Sequence, residues 1–310
     1  MKKIFIDGSV GTTGLRIFER LSQRDDIELI TLPEETRKDI NARKEAINSA
    51  DVAFLCLPDA AAIEAVSLLE NDNTVIIDTS TAHRTNEDWA YGFRELSDAA
   101  YNKIKNSKRI AVPGCHASGF IALIYPLIEA GIIDADINLV CHSLTGYSGG
   151  GKKMIAEYED EGRDVLLDSP RQYGITQQHK HLKEMKKITG LENDPIFCPI
   201  VAPFYSGMEV TVGLFKSDLK DGKTVEDIKN AYAAKYNTDI VKYVPDAAED
   251  GFVASNKLAG KDSMQVFTAG NDDRILLIAR YDNLGKGASG AAVQCLNIVL
   301  GQDETYGLDI

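Results

Sequence analysis

The chain has 310 residues, of which 47 are acidic and 34 are basic, so its formal net charge is −13 with neutral histidines. Proteins that bind nucleic acids or anionic membranes usually carry a surplus of Lys and Arg, and this balance argues against both classes. The five cysteines are an odd number and include no CxxC pair, which argues against a disulfide scaffold or a zinc knuckle. We therefore expect a cytoplasmic protein without a signal peptide or a membrane-spanning segment.

The first third of the chain alternates short apolar runs with segments of helical periodicity. Strands are predicted at 3–6, 28–32, 51–57, 74–78 and 109–112. Helices are predicted at 12–22, 41–48 and 60–69. This alternation indicates right-handed βαβ units and a parallel sheet.

After Pro113 the pattern changes to longer strands with fewer helices between them. Strands are predicted at 137–144, 197–201, 208–215, 263–269 and 274–281, and helices at 119–130, 152–161, 181–188, 225–235 and 288–300. Such strands favour a largely antiparallel sheet. The sequence thus predicts an α/β fold, with a Rossmann-like nucleotide domain up to Pro113 followed by an α+β domain.

Three glycines with GxxGxxG spacing follow the first predicted strand. Glycine at this turn lets a pyrophosphate approach the amides at the start of the next helix, where the helix dipole favours anions. A plain strand-to-helix turn is the alternative, but the βαβ context favours a dinucleotide site. The expected cofactor-binding residues of this turn are Gly8, Val10, Gly11, Thr12, Thr13 and Gly14.

The loop after the second predicted strand bears on which dinucleotide is bound. An NAD site usually has an acidic residue at the end of this strand, whereas here the strand ends at Pro33. Arg37 and Lys38 follow in the loop, and two cations at this place suit a 2′-phosphate. The prediction is an NADP(H) site that uses both residues, and a solvated charged loop is the open alternative.

Cys115 follows a predicted strand and Pro113-Gly114, and it precedes an apolar helix. A thiol at a helix N-terminus meets the positive end of the dipole, which lowers its pKa. The other four cysteines lie among apolar residues and are typical of core positions. Cys115 is therefore the predicted nucleophile, against the alternative of a buried structural thiol.

A nucleophilic cysteine needs an acid or base nearby, and His179 and His181 stand at the start of a predicted helix. His116 is a weaker candidate because adjacent side chains usually diverge. The His-x-His spacing with Glu184 also suits a metal site, but no further ligand lies at the required spacing, so no metal is predicted. Surface histidines at a helix entrance are the alternative.

Seven segments, in chain order, resemble N-acetyl-γ-glutamyl-phosphate reductases, and most closely their shorter form: 8–14, 56–61, 78–84, 113–119, 143–149, 179–181 and 282–294. The resemblance covers nearly the whole chain. It implies the fold of glyceraldehyde-3-phosphate and aspartate-semialdehyde dehydrogenases, in which the last helix returns to the nucleotide domain. The expected domains are therefore residues 1–113 plus 285–310 for the dinucleotide and 114–284 for catalysis.

The resemblance also implies the activity, which is NADPH-dependent reduction of N-acetyl-L-glutamyl 5-phosphate to the semialdehyde and phosphate. Cys115 would form a thioester, and His181 or His179 would transfer protons. Ser80 and Asn283 would bind the cofactor, and Arg84 and Ser118 are candidates for binding the substrate. The family further suggests a homo-oligomer, either a dimer or a tetramer.

Two rival functions stay open from the sequence. An aspartate-semialdehyde dehydrogenase shares the fold and the cysteine chemistry, but it needs a guanidinium placed for the α-carboxylate of its substrate. A non-catalytic nucleotide sensor keeps the Rossmann domain, but it has no need of a nucleophile at a helix start.

Overall fold

The computed structural model describes every residue from Met1 to Ile310. The chain divides into two compact units. The first unit comprises Met1–Pro113 and Ala288–Leu308, and the second comprises Gly114–Gly287 and Asp309–Ile310. None of the helices combines the length and the apolar character that crossing a membrane requires.

The first unit is built around a parallel sheet of six strands. Its elements in chain order are β1 (Lys2–Asp7), α1 (Thr12–Leu21), β2 (Ile27–Ile30), α2 (Ile40–Ser49), β3 (Val52–Leu55), α3 (Asp59–Ser67), β4 (Val75–Asp78), β5 (Ala90–Tyr91), α4 (Asp98–Asn106) and β6 (Arg109–Ala111). The strand order is β2-β1-β3-β4-β6-β5, and every pair is parallel. This order confirms the predicted Rossmann-like sheet.

The second unit is built around a mixed sheet of seven strands. Its elements are α5 (Cys115–Glu129), β7 (Val140–Gly146), α6 (Gly151–Glu159), β8 (Arg171–Gln172), α7 (His181–Thr189), β9 (Ile196–Ala202), β10 (Met208–Phe215), α8 (Val225–Lys235), β11 (Val241–Tyr243), β12 (Met264–Gly270) and β13 (Arg274–Tyr281). The strand order is β11-β12-β13-β10-β7-β9-β8. Four of the pairs are antiparallel, which confirms the prediction, and β7–β9 and β11–β12 are parallel.

The last helix, α9 (Gly290–Leu300), belongs to the first unit, whose sheet is buried on both faces. Ile4 and Ile6 of β1 lie in one apolar cluster together with Val293 of α9. Phe5 points to the opposite face because side chains alternate along a strand, and it lies in a second cluster with Ala62 of α3. The two clusters explain why the strands of this unit are continuously apolar.

Two features of α5 were not evident from the sequence. The helix begins at Cys115 rather than at 119, because the apolar periodicity starts only after the polar first turn. Pro126 lies inside the helix and lacks an N–H, so it cannot donate to the carbonyl of Ala122. The hydroxyl of Tyr236 donates to that oxygen at 2.8 Å, and the hydroxyl of Tyr232 donates to the next carbonyl, that of Leu123, at 2.7 Å. Tyrosines of α8 and its C-terminal end thus stabilise a helix that its own proline would weaken.

Candidate active site

Cys115 is the first residue of α5, and its side chain is partly exposed. The preceding residue, Gly114, is the N-cap, and its N–H donates to Oε1 of Glu184 at 2.7 Å. Glu184 is buried on α7, three residues after His181, so its carboxylate ties the start of α7 to the start of α5. A negative charge at a helix N-terminus is favourable by about 0.3–1 kcal/mol at the surface, and by up to about 2 kcal/mol where the group is partly buried.

The hydroxyl of Tyr281 bridges the two ends of the first turn of α5. It donates to the carbonyl of Cys115 at 2.5 Å and accepts from the N–H of Gly119 at 3.0 Å. A Cβ at Gly119 would lie 2.7 Å from this hydroxyl and 2.5 Å from Cγ2 of Val210, so only glycine leaves room for the bridge. Burial and the nearby charge of Cys115 raise the pKa of Tyr281 well above its ordinary value. The phenol therefore stays protonated and holds the backbone of the predicted nucleophile.

Three imidazoles cluster together, and one of them belongs to His116, the residue that follows Cys115. The ring centre of His116 lies 5.6 Å from that of His181 and 6.1 Å from that of His179, and the last two are 4.8 Å apart. The structure therefore brings the two predicted histidines to the residue next to Cys115. It also places His116 in the same cluster, although the sequence had favoured it least.

Burial makes two of these rings hard to protonate. It lowers the pKa of His116 to about 3, with a smaller contribution from the charge of His179. Burial also lowers the pKa of His179, and the charge of Lys180 lowers it further. Both rings are therefore neutral near neutral pH, and a neutral imidazole carries one N–H donor and one acceptor nitrogen.

The remaining cysteines differ from Cys115 in their surroundings. Cys141 and Cys295 are buried, whereas Cys56 and Cys198 are partly buried. Burial raises the pKa of Cys56 to about 12, and it also raises the pKa of Cys141. Neither of these two thiols ionises near neutral pH.

Asn283 lies in a buried loop after β13 with both ends of its amide held. Its Oδ1 accepts from the N–H of Gly207 at 2.9 Å, and its Nδ2 donates to Oγ of Ser148 at 3.0 Å. The neighbouring Asp282 accepts from the N–H groups of Leu284 and Gly285, at 2.7 and 2.8 Å. The amide of Asn283 is thus fixed in orientation and keeps one N–H that these bonds do not use.

The glycine turn of the first unit has the shape of a dinucleotide cradle. Gly8 has a φ of +87°, and a Cβ there would lie 2.3 Å from the carbonyl oxygen of Cys56. A Cβ at Gly14 would lie 2.3 Å from the carbonyl oxygen of Gly8. Gly11 is the N-cap of α1, and Thr12 and Thr13 are the first two residues of this helix. The buried Oγ1 of Thr12 has no hydrogen-bond partner. The turn thus presents a free helix N-terminus and an unused hydroxyl.

A cavity of about 450 Å³ lies beside this turn and between the ends of β1 and β2. Gly8, Val10, Arg37 and Lys38 all line it, so four of the predicted cofactor residues share one cavity. Arg37 is partly exposed and pairs with Glu34 at 3.0 Å. The cavity and its cations suit the phosphorylated adenosine half of NADP.

An ion pair that lines this cavity was not predicted from the sequence. Arg43 of α2 donates through Nε to Asp7 at 3.0 Å and through Nη1 to Glu64 at 2.8 Å. Burial raises the pKa of Asp7, although the charge of Arg43 opposes this shift. The third guanidinium nitrogen, Nη2, is buried without a hydrogen-bond partner.

The other predicted residues have local partners. Ser80 donates to Oδ2 of Asp78 at 2.7 Å. Arg84 donates through Nε to the carbonyl of Val112 and through Nη2 to that of Thr79, so it ties two strand ends together. Ser118 of α5 donates to the carbonyl of Gly114 at 3.0 Å. These contacts account for the burial of all three residues, and their binding roles stay predictions. No group of three or more His, Cys, Asp or Glu side chains is arranged to hold a metal ion.

Solved structures of low sequence identity share this fold. Aspartate semialdehyde dehydrogenase II from Vibrio cholerae, complexed with ASA, has a TM-score of 0.72 at 17% identity, covering 97% of this chain and 98% of that chain. The aspartate semialdehyde dehydrogenase from Candida albicans, solved with NADP, has a TM-score of 0.67 at 18% identity, covering 97% of this chain and 98% of that chain. At these identities the likeness shows the fold alone, and it confirms the predicted dehydrogenase architecture.

Two family models match successive parts of the chain. The semialdehyde dehydrogenase NAD binding domain matches residues 3–104, and the semialdehyde dehydrogenase dimerisation domain matches residues 115–283. The first match confirms a dinucleotide-binding domain, and the binding roles of the individual residues of the glycine turn stay predictions.

Curated relatives match over nearly their full length and are named N-acetyl-gamma-glutamyl-phosphate reductase. The protein from Allorhizobium ampelinum is 48% identical, covering 96% of this chain and 98% of the relative. The protein from Brucella ovis is 46% identical, covering 97% and 99%. The protein from Sinorhizobium medicae is 46% identical, covering 96% and 98%. This chain therefore belongs to the N-acetyl-γ-glutamyl-phosphate reductase family.

Proposed function

We propose that this chain is an oxidoreductase that converts N-acetyl-L-glutamyl 5-phosphate, with NADPH, into N-acetyl-L-glutamate 5-semialdehyde and phosphate in arginine biosynthesis. The observation that carries the chemistry is Cys115 at the start of α5, followed by His116, whose ring centre lies 5.6 Å from that of His181 and 6.1 Å from that of His179. The choice of acyl group rests on the names of the relatives.

The Cys115 thiolate attacks the acyl carbon of the substrate. A C–S bond forms, the C–O bond to phosphate breaks, and phosphate leaves with the bonding electrons. The thioester that results is a better hydride acceptor than a carboxylate. The dipole of α5 favours the thiolate, because Cys115 lies at its positive end.

The histidines transfer the protons. We assign His181, with His179 as the alternative, as the residue that takes the thiol proton and gives it to the oxygen of the thiohemiacetal formed when the thioester is reduced. The same residue takes this proton back as the C–S bond breaks, which releases the semialdehyde and leaves Cys115 as the thiolate. Glu184 supports this role, since its bond to Gly114 holds the first turn of α7 against the first turn of α5.

The first unit has the features that NADPH needs. Bound NADPH supplies the hydride that reduces the thioester carbon. The turn 8–14 leaves room for a pyrophosphate, since a Cβ at Gly8 would meet the carbonyl of Cys56. Arg37 and Lys38 are proposed to bind the 2′-phosphate in the adjacent cavity. Ser80 and Asn283 are proposed as further cofactor ligands, and Arg84 and Ser118 as substrate ligands.

The protein is proposed to act as a homodimer through the open face of the second sheet. The dimerisation-domain match covers this sheet. Val140 and Ile196 lie opposite each other in register, and they are 40% and 56% exposed. Phe215 and Leu276 continue the apolar face with 63% and 42% exposure. Changing both Val140 and Ile196 to Lys is expected to give monomers in sedimentation velocity, and an unchanged sedimentation coefficient would contradict this interface.

Mass spectrometry tests the covalent step. Incubation with the acyl phosphate and without NADPH is expected to leave an N-acetylglutamyl adduct on Cys115. The Cys115→Ser variant should bind NADPH normally but form no thioester and no semialdehyde. Aspartyl phosphate serves as the control substrate. Faster reduction of aspartyl phosphate, or an adduct on another cysteine, would contradict the proposed function.

A further inference from the structure

His116 lies between two hydroxyl groups and uses both of its ring nitrogens. Nδ1 is 2.6 Å from Oγ of Ser143, and Nε2 is 2.7 Å from Oη of Tyr173. Burial keeps this ring neutral, with a pKa of about 3. A neutral imidazole has one N–H donor and one acceptor, so one hydroxyl must donate to the ring while the other accepts from it.

The surroundings of Ser143 decide which hydroxyl donates. Ser143 is fully buried in β7, and its hydroxyl has no partner other than His116. If its proton did not point at Nδ1, a buried donor would be left unsatisfied, at a cost of about 1–3 kcal/mol. Nδ1 of His116 therefore accepts from Ser143, and Nε2–H donates to Tyr173. The oxygen of Tyr173 receives this bond, and its own proton stays available.

Tyr173 presents that proton within the histidine cluster. Its ring centre is 6.1 Å from that of His116 and 5.9 Å from that of His179. Its backbone N–H donates to the carbonyl of Pro199, which fixes the residue beyond the end of β8. Burial raises the pKa of Tyr173, and the charge of Cys115 raises it further, so the phenol remains a donor at neutral pH.

We propose that the Tyr173 hydroxyl donates a hydrogen bond to the acyl oxygen of the substrate when Cys115 attacks. When the C–S bond forms, the π electrons of the carbonyl move to this oxygen, and the resulting oxyanion accepts the bond. The carbonyl reforms as the C–O bond to phosphate breaks, and the hydroxyl keeps its proton throughout. Tyr173 is then a catalytic residue, and His116 and Ser143 are positioning residues that direct its proton. This role rests on the proposed function, because it requires the acyl phosphate to react at Cys115.

The test compares Tyr173→Phe with Tyr232→Phe. The control removes a buried hydroxyl that donates to the carbonyl of Leu123, about two turns along α5 from His116, so it reports the general cost of losing a phenol hydrogen bond. Phosphate release in a single turnover without NADPH measures acylation. Loss of one oxyanion donor is expected to slow acylation by about 100-fold in Tyr173→Phe, while KM changes less than about threefold. The control is expected to acylate at the wild-type rate.

Two further measurements separate catalysis from positioning. The rate of Cys115 alkylation by iodoacetamide against pH is expected to be the same in Tyr173→Phe and wild type. Nitrogen-15 NMR is expected to show His116 as the neutral Nε2–H tautomer at pH 7. Acylation within about threefold of wild type, a shifted alkylation profile, or the Nδ1–H tautomer would each overturn the role of Tyr173. Absence of acylation in the wild-type protein would instead overturn the proposed function.

Discussion

The Tyr281 bridge makes a quantitative prediction about the nucleophile. Tyr281→Phe removes two hydrogen bonds, one to the carbonyl of Cys115 and one from the N–H of Gly119. Each bond contributes about 1 kcal/mol to stability, and an ordinary helical bond between the two freed groups offsets about one of them. The expected loss of stability is therefore about 1 kcal/mol. The same loss, about 1 kcal/mol, is expected for Tyr232→Phe, which removes one bond to Leu123 of the same helix.

The two variants should differ in activity despite this equal cost. Without the bridge, the first turn of α5 is free to tighten and to move Cys115. A displacement of about 1 Å in a reacting group costs roughly 100-fold in rate, so a shift of about half that distance costs about tenfold. We therefore expect kcat to fall about tenfold in Tyr281→Phe and to stay within twofold of wild type in Tyr232→Phe.

Three assays on both variants check this reasoning. Chemical denaturation gives the stability, steady-state kinetics give kcat and KM, and the pH dependence of iodoacetamide alkylation reports the thiol of Cys115. Gly119→Ala provides a second route to the same change, since its Cβ would lie 2.7 Å from the Tyr281 hydroxyl. If both phenylalanine variants had equal kcat, the Tyr281 bridge would contribute only stability, and the positioning argument would be refuted.

The remaining predictions concern the cofactor and pH. Changing Arg37 and Lys38 together to Ala is expected to raise KM for NADPH by 10-fold or more, because each lost phosphate contact costs about 1 kcal/mol of binding free energy. KM for NADH is expected to stay unchanged, since NADH has no 2′-phosphate. An equal rise in KM for both cofactors would exclude the 2′-phosphate role of these residues. Gly8→Ala is expected to abolish NADPH binding in calorimetry, because the Cβ of the alanine would lie 2.3 Å from the carbonyl oxygen of Cys56. Alkylation of Cys115 is expected to continue in this variant. A Kd for NADPH within threefold of wild type would contradict the proposed dinucleotide cradle. Burial lowers the pKa of His116 in the folded protein to about 3, below the ordinary value of 6.5. The unfolded state therefore binds this proton more tightly than the folded state. The free energy of unfolding is expected to fall as the pH drops from 6.5 towards 3. This loss of stability is at most about 1.4 kcal/mol per pH unit. It is expected in the wild-type protein and absent from His116→Asn when the urea midpoints at pH 7 and pH 5 are compared. An equal fall in the urea midpoint of both proteins would contradict the buried, neutral ring.

Local patterns in the sequence predicted the parallel sheet of the nucleotide unit, although they missed β5 and α4. Gly8 shows why, since a turn that passes so close to the carbonyl of Cys56 and adopts a positive φ requires glycine. The apolar strands around it are buried on both faces, so their composition alone indicates a parallel sheet. Short elements such as β5 and β8, each of two residues, carry no comparable pattern because neighbouring strands impose their pairing.

The start of α5 shows what a linear pattern determines about the site. A single cysteine after Pro113-Gly114 and before an apolar helix was enough to predict a nucleophile at a helix N-terminus, although α5 begins at Cys115 itself, four residues before the predicted start. The catalytic role of Cys115 stays a prediction until the adduct is sought. The sequence also indicated His179 and His181, because both stand at the start of a helix of clear periodicity.

Only the tertiary structure decided which groups surround that thiol. Tyr281 lies 166 positions from Cys115, and Tyr173 lies 57 positions from His116. Hydrogen bonds between such distant residues leave no periodic trace, because each depends on how a strand and a helix pack. The pKa of His116 has the same origin, since burial is a property of the packed unit rather than of the neighbouring residues. The sequence therefore predicted most of the elements and the candidate nucleophile, whereas packing determined the orientation and protonation of the groups around it.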